Sequence, residues 1–162
     1  MRFFRSLRSF CSLQSLQSLR SLRGFGWVPM LVLRVTVGFM FTSGAVGKLA
    51  DSDAFAATFR ASGIPFADVL APVVAVLELL GGVALAIGVG TRVSALVLAL
   101  VMVGALVTTI APPLLEKHPA PISFLSNLFY QPEWLLIGLL GWWAFVGAER
   151  FSVDARLTSR RT

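Results

Sequence analysis

The chain has 162 residues, of which 56% are hydrophobic and only 14% are charged. Soluble domains are usually about a quarter charged, so this composition argues against a water-soluble fold and predicts an integral membrane protein. The formal net charge is +6, but the basic residues cluster at the two termini, where anionic headgroups explain them better than nucleic acid does. The single cysteine, Cys11, cannot form an internal disulfide or a dithiol redox pair.

The N-terminal residues 1–24 form a low-complexity arm that contains five arginines and no acidic residue. Leucine or phenylalanine recurs at every third position, a period that does not place the apolar side chains on one face of a helix. We therefore predict a basic cytoplasmic arm lying against anionic headgroups. A functional docking helix is the alternative interpretation.

Four apolar runs follow the arm, and each is a candidate transmembrane helix. The first three are long enough to cross about 30 Å of hydrocarbon, and they cover residues 27–46, 69–89 and 93–111. The fourth run, Trp134 to Ala148, has fifteen residues and is only about 22 Å long as a helix. One interpretation is a helix that begins at Pro132, which suits a first-turn position. A longer helix from residue 122, kinked or stepped at Pro132, would reach across the membrane, and we favour it for that reason.

The distribution of Lys and Arg predicts the orientation of these helices. With the N-terminus in the cytoplasm, ten Lys and Arg residues lie on the inner side and three on the outer side, which agrees with the positive-inside rule. The expected fold is therefore an all-α four-helix membrane bundle with both termini in the cytoplasm. Its transmembrane domain covers residues 25–149, and a basic tail covers residues 150–162.

The loop between the first two spans predicts a short helix over residues 52–61. Asp51 or Ser52 can cap its N-terminus, while Phe55 and Phe59 lie four residues apart on one face. We expect this helix to lie in the outer membrane interface, because its opposite face is polar.

Two charged residues, Arg34 and Glu78, lie inside the first and second spans. A charge near mid-bilayer costs about 2.5–3.5 kcal/mol or more, so such residues usually face the interior of a bundle and find partners. Measured from the inner ends of the spans, Arg34 lies about 10 Å deep and Glu78 about 16 Å deep, which predicts a buried pair. The pair has two interpretations: a structural link between helices, or a polar site for a quinone head group, a proton or another small ligand.

Other polar residues carry weaker signals. His118, the only histidine, lies in a proline-rich loop without a metal-binding pattern, so we predict no metal site. Asn127 and Glu133, near the start of the fourth span, are within reach of a cavity that opens outward. They are equally able to hydrogen-bond the backbone that Pro132 leaves free.

Three segments together resemble the DoxX-like family of small four-helix membrane proteins. LRVTVGFMFTSGAVGKL, which contains Arg34 and Lys48, is similar to the first-helix signature of that family, and GKLADSDAFAATFRASGIP to the loop after it. ELLGGVALAIGVGTR, from Glu78 to Arg92, is similar to the second helix and the turn that follows. The likeness covers roughly residues 28–148.

The resemblance implies a location in the bacterial inner membrane and a role as a subunit of a quinone-linked oxidoreductase system. By match of motif it implies five candidate functional positions, which are Arg34, Lys48, Glu78, Arg92 and Asn127. It implies quinone as the cofactor, although the chain has no motif for an intrinsic one, and membrane lipid and other membrane or peripheral redox proteins as partners. A non-catalytic scaffold or assembly subunit is the alternative, and a small-solute or proton permease is a third hypothesis.

Overall fold

The computed structural model describes residues 27–147, and all regular secondary structure in that range is helical. The basic arm, Cys11 and the basic tail lie outside the described residues. The helices are α1 (Trp27–Ala50), α2 (Ser52–Ala61), α3 (Ala67–Ile87), α4 (Thr91–Ala105), a π-helical turn (Leu106–Ile110), α5 (Ala111–Lys117), α6 (Pro121–Phe129) and α7 (Pro132–Val146). A compact unit begins at Arg34, within α1, and contains all the helices that follow.

Three stretches of helix in the described range are long and apolar enough to cross a membrane. They are α1, α3 and the run from α4 through the π-helical turn to α5, which covers Thr91–Lys117. The protein is therefore an all-α membrane protein. α7 is also apolar, but with 15 residues it is shorter than these three.

The segment before α7 is a separate helix, α6, and the chain steps between the two at Tyr130 and Gln131. Gln131 has an extended backbone with ψ of 133°, because the ring of the following proline disfavours helical geometry in the residue before it. Pro132 then occupies the first helical position, where its missing N–H costs nothing. The stepped arrangement thus follows from one proline.

The connection between α3 and α4 is a tight turn built on two glycines. Gly88 ends α3 with φ of 80°, and Gly90 precedes α4 with φ of 54°. Both angles lie in the left-handed region that side chains with a Cβ rarely adopt. The turn therefore brings α4 back antiparallel to α3, and Leu98 of α4 packs against Gly81 of α3.

The core lies where four helices converge. Its buried members come from α1, α3, α4 and α7 and include Phe41, Leu85, Leu98, Leu140 and Trp143. Many large apolar side chains on the same helices remain exposed on the opposite faces. Those exposed faces are suited to lipid.

The backbones of α1 and α3 approach each other closely at two glycines. A Cβ added at Gly82 would lie 2.8 Å from the carbonyl oxygen of Gly38, and one added at Gly38 would lie 2.7 Å from the carbonyl oxygen of Gly82. Small residues at such crossings let helices pack backbone to backbone in membranes. This contact fixes the register between α1 and α3.

Replacing Gly82 with leucine is expected to force α1 and α3 apart and destabilise the protein. Overpacking typically costs about 1–3 kcal/mol, so the thermal midpoint of the purified protein should fall by about 2–12 °C. Thermal unfolding in detergent, followed by circular dichroism, measures the change. Gly47→Leu is the matched control, because a Cβ at Gly47 meets no atom within 4 Å; equal midpoints for both variants would contradict the close contact.

Candidate functional site

Glu78 of α3 and Lys48 of α1 form an ion pair inside the protein. The ammonium Nζ lies 2.5 Å from the carboxylate Oε2, and the Glu78 side chain is only 3% exposed while that of Lys48 is 32% exposed. The Lys48 ammonium also lies 4.9 Å from the centre of the Phe55 ring, where the negative face of the ring attracts it. One lysine therefore connects α1, α2 and α3 around a buried carboxylate.

The sequence predicted that Arg34 pairs with Glu78. Among the ion pairs within residues 27–147, however, the partner of Glu78 is Lys48. The register explains the difference. Gly38 and Thr42 flank Gly82, so Glu78, one turn earlier on the antiparallel α3, lies level with about residue 44 of α1. Arg34 is then about 15 Å away along the helix axis, whereas Lys48 is one turn away.

The error lay in measuring depth from the ends of the two apolar runs. α1 and α3 do not begin and end at the same level, because the glycine contact and not the boundary of each run sets their offset. Arg34 is only 4% exposed and makes an interaction of its own. Lys48, by contrast, lies at the end of an apolar run, and only the family resemblance marked it as a candidate.

A cavity of about 370 Å³ lies beside the ion pair. Helix α2 contributes one side of it with Phe55, Thr58 and Phe59. α3 and α4 contribute mainly apolar side chains such as Val74 and Met102. Ligand pockets are typically lined by apolar and aromatic groups with a few polar groups, and this cavity has that composition.

A smaller cavity of about 210 Å³ lies on another side of the same ion pair. Lys48, Glu78, Met102 and Glu133 line both cavities. Its other lining residues come from α1 and α7 and include Met40, Gly44 and Leu136. The polar groups therefore lie where the two cavities meet.

Glu133, at the start of α7, is the second carboxylate of this site. Its Oε2 atom is buried and has no hydrogen-bond partner, although a buried polar atom without a partner is rare because it loses its hydration without compensation. The sequence indicated that Glu133 could reach a cavity but did not include it among the five candidate positions. Pro132 is the signal that places it, since a helix beginning there puts Glu133 in its first turn.

The π-helical turn forms part of the wall of the larger cavity. Thr108, Thr109 and Ile110 line the cavity from this turn, and the Thr108 hydroxyl donates to the carbonyl of Gly104 at 2.8 Å. The Ser62 hydroxyl, just after α2, donates to Thr109 Oγ1 at 3.4 Å. π-Helical turns inside α-helices are frequent at functional sites, and this one lines the cavity and helps to hold the end of α2.

Arg92 and Asn127 line neither cavity. Arg92 Nη2 donates to the carbonyl of Val146 at 3.4 Å, at the C-terminus of α7, where a positive charge is favourable. Asn127 Nδ2 donates to the carbonyl of Ser123, one turn earlier in its own helix, at 2.9 Å. The contacts of these two residues are therefore with helix backbone, and a role in ligand binding stays a prediction.

His118 lies 3.3 Å from the Ser123 hydroxyl, measured to Nδ1. Within residues 27–147, no three His, Cys, Asp or Glu side chains lie together as a metal site would require. The chemistry that the described site offers is that of an ammonium donor, a paired carboxylate and a second carboxylate with an unused acceptor.

Apolar helices of membrane-spanning length that surround a buried ion pair define a small integral membrane protein. The DoxX family model matches residues 29–111, and the chain belongs to this family. The matched region contains Lys48 and Glu78 but ends before Glu133.

Two curated proteins are similar to the chain. One is an uncharacterized membrane protein of Mycobacterium tuberculosis, 30% identical over 136 residues, which cover 82% of this chain and 83% of that protein. The other is a Bacillus subtilis protein named "Putative oxidoreductase CatD", 33% identical over 78 residues, which cover 48% of this chain and only 57% of that protein. No solved structure gave a significant match.

Breaking the Lys48–Glu78 pair should destabilise the protein more than breaking an exposed pair. Lys48→Met leaves Glu78 buried without its counter-ion, a change that costs about 3–5 kcal/mol in fully buried pairs and less here because Lys48 is partly exposed. The double variant Lys48→Met with Glu78→Met should recover most of the loss. Thermal unfolding of the purified variants measures the effect.

The control for these variants is the ion pair between Arg60 and Asp68, whose side chains are 54% and 72% exposed. Exposed pairs contribute about 0–1 kcal/mol, so Arg60→Met should shift the thermal midpoint little. If Lys48→Met is as stable as Arg60→Met, the buried pair does not stabilise the fold.

Proposed function

We propose that the protein is the membrane subunit of a quinone-linked oxidoreductase and that the larger cavity binds the quinone head group. The observation that carries this proposal is the position of Lys48, whose ammonium is held by Glu78 at the edge of an otherwise apolar cavity. A quinone head group is an apolar ring with polar oxygens on its edge. A mainly apolar cavity with a fixed donor at its rim is complementary to that ring.

The size and the polarity of the cavity support this choice. Its volume of about 370 Å³ falls within the range of about 300–1,000 Å³ that small-molecule sites occupy. Phe55 and Phe59, whose ring centres lie 4.9 Å apart, offer aromatic surface against which a flat ring can pack. Lys48 has three N–H donors, so it can donate to a ligand oxygen while it remains paired with Glu78.

A quinone bound at this site would supply redox chemistry by accepting two electrons and two protons. The residues of the chain would bind the ring, orient it through Lys48 and exclude water with α2. The electrons would come from a partner redox protein, membrane-bound or peripheral. The name of the Bacillus subtilis relative, which describes an oxidoreductase, supports a place in a redox system.

For the membrane, we propose four spans with both termini in the cytoplasm of a bacterium, in the inner membrane. α1, α3 and the α4–α5 run would be three of the spans, and the stepped pair of α6 and α7 would be the fourth. α2 would lie in the outer interface, with Phe55 and Phe59 turned toward the cavity. The excess of Lys and Arg on the inner side in this orientation supports the proposal.

A reporter fused after Thr162 tests this topology. Four spans predict a cytoplasmic signal, so a green fluorescent protein fused there should fluoresce and an alkaline phosphatase fused there should be inactive. A control fusion made after Lys117, between the third and fourth spans, should give the opposite pair of signals. An active phosphatase at the C-terminus would show an odd number of spans and overturn the proposed topology.

Quinone binding is tested directly on the purified protein in detergent. A benzoquinone with a ten-carbon tail should bind saturably, and Lys48→Met should weaken binding by about tenfold or more, because a hydrogen bond from a charged donor is lost. Isothermal titration calorimetry gives both dissociation constants. Arg60→Met is the matched control, since Arg60 is an exposed basic residue that does not line the cavity.

The double variant Lys48→Met with Glu78→Met separates binding from folding. If it folds as well as the wild type and binds quinone as weakly as Lys48→Met, the loss belongs to the site. Unchanged binding in this variant, or no saturable binding in the wild type, would contradict the proposed function and favour a scaffold that assembles a membrane complex.

A further inference from the structure

We propose that Glu133 makes the site selective for the reduced form of its ligand, so that a quinol binds more tightly than the corresponding quinone. This inference rests on the proposed function and names the redox form for which the cavity is built. Glu133 lies outside the residues that the family model matches, and it takes no part in the Lys48–Glu78 pair.

The two carboxylates of the site are in different states. Glu78 is satisfied by Lys48, while the Oε2 atom of Glu133 is buried without a hydrogen-bond partner. Both side chains line both cavities. The empty space beside Glu133 is therefore the same space in which a ligand would contact Lys48.

The position of Glu133 at the start of α7 does not explain why its oxygen is buried without a partner. A carboxylate in the first turn of a helix interacts favourably with the helix dipole, but this interaction does not require a buried oxygen. The N–H of Trp134, the next residue in the chain, donates to the carbonyl of Gln131 at 3.2 Å. Glu133 thus keeps an acceptor that a donor on a bound ligand could satisfy.

The two redox forms of a quinone differ in what they offer to this pair of groups. An ionised carboxylate only accepts hydrogen bonds and an ammonium only donates them. A quinone oxygen also only accepts, so it satisfies Lys48 and leaves Glu133 without a partner. A quinol hydroxyl donates as well as accepts, so the quinol is the form that satisfies both residues.

This preference has a direct electrochemical consequence. A site that binds the quinol ten times more tightly than the quinone raises the two-electron reduction potential of the bound couple by about 30 mV, because binding and reduction are linked. A bound quinone would then be a better electron acceptor than a quinone free in the membrane. The direction agrees with a subunit that passes electrons into the quinone pool.

The test is a comparison of two dissociation constants on the full-length purified protein in detergent. A decyl-benzoquinone and its quinol, the latter kept reduced under anaerobic conditions, are titrated separately by calorimetry. In the wild type, the quinol should bind about tenfold more tightly. In Glu133→Leu, which has no acceptor, quinol binding should weaken until the ratio approaches one, while quinone binding should change by less than about twofold. In Glu133→Gln the ratio should also approach one, because the amide can donate to a quinone oxygen as well as accept from a quinol hydroxyl.

Glu116→Gln is the matched control, because Glu116 is exposed and lines neither cavity, and it should keep the wild-type ratio. Glu133→Gln is nearly isosteric, so it tests the proposal even if Glu133→Leu fails to fold. Equal binding of both forms by the wild type, or a wild-type ratio in Glu133→Gln, overturns this inference but leaves the proposed function intact. Absence of binding of both forms to the wild type overturns both.

Discussion

The contact between Gly38 and Gly82 is the constraint on which the site depends. Because neither residue has a Cβ, the backbones of α1 and α3 meet, and the offset between the two helices is fixed. That offset places Lys48 within reach of Glu78 and leaves Arg34 about 15 Å from Glu78 along the helix axis. A register that left Glu78 buried without a counter-ion would cost about 3–5 kcal/mol.

The buried pair in turn organises the polar part of the molecule. The Lys48 ammonium contacts both the carboxylate of Glu78 and the ring of Phe55. It therefore neutralises the charge of Glu78 on α3 and holds α2 near the cavity. Glu133 enters from α7, and its oxygen remains without a partner. An ion pair and an unpaired carboxylate oxygen are thus neighbours. Variants that lose stability and variants that lose binding distinguish these two groups.

Much of the helical architecture was predictable from local signals. The apolar runs predicted helices around α1, α3 and α4 because a bilayer requires about twenty apolar residues per span. Asp51, predicted as a cap, accepts a hydrogen bond from the N–H of Ala54 at the start of α2. Pro132 predicted the step before α7, since the ring of a proline acts on the residue before it. The family was also recognisable from motifs, and the comparison with known families confirmed it.

The partners of the buried charges were decided by tertiary structure alone. Composition and the spacing of motifs determined that the protein is helical, belongs in a membrane and contains charges that need partners. They did not determine that Lys48 rather than Arg34 meets Glu78, or that Glu133 faces the same cavity. Those outcomes depend on the offset between helices, which is set by contacts between small residues that lie far apart in the sequence. The length of an apolar run does not determine that offset.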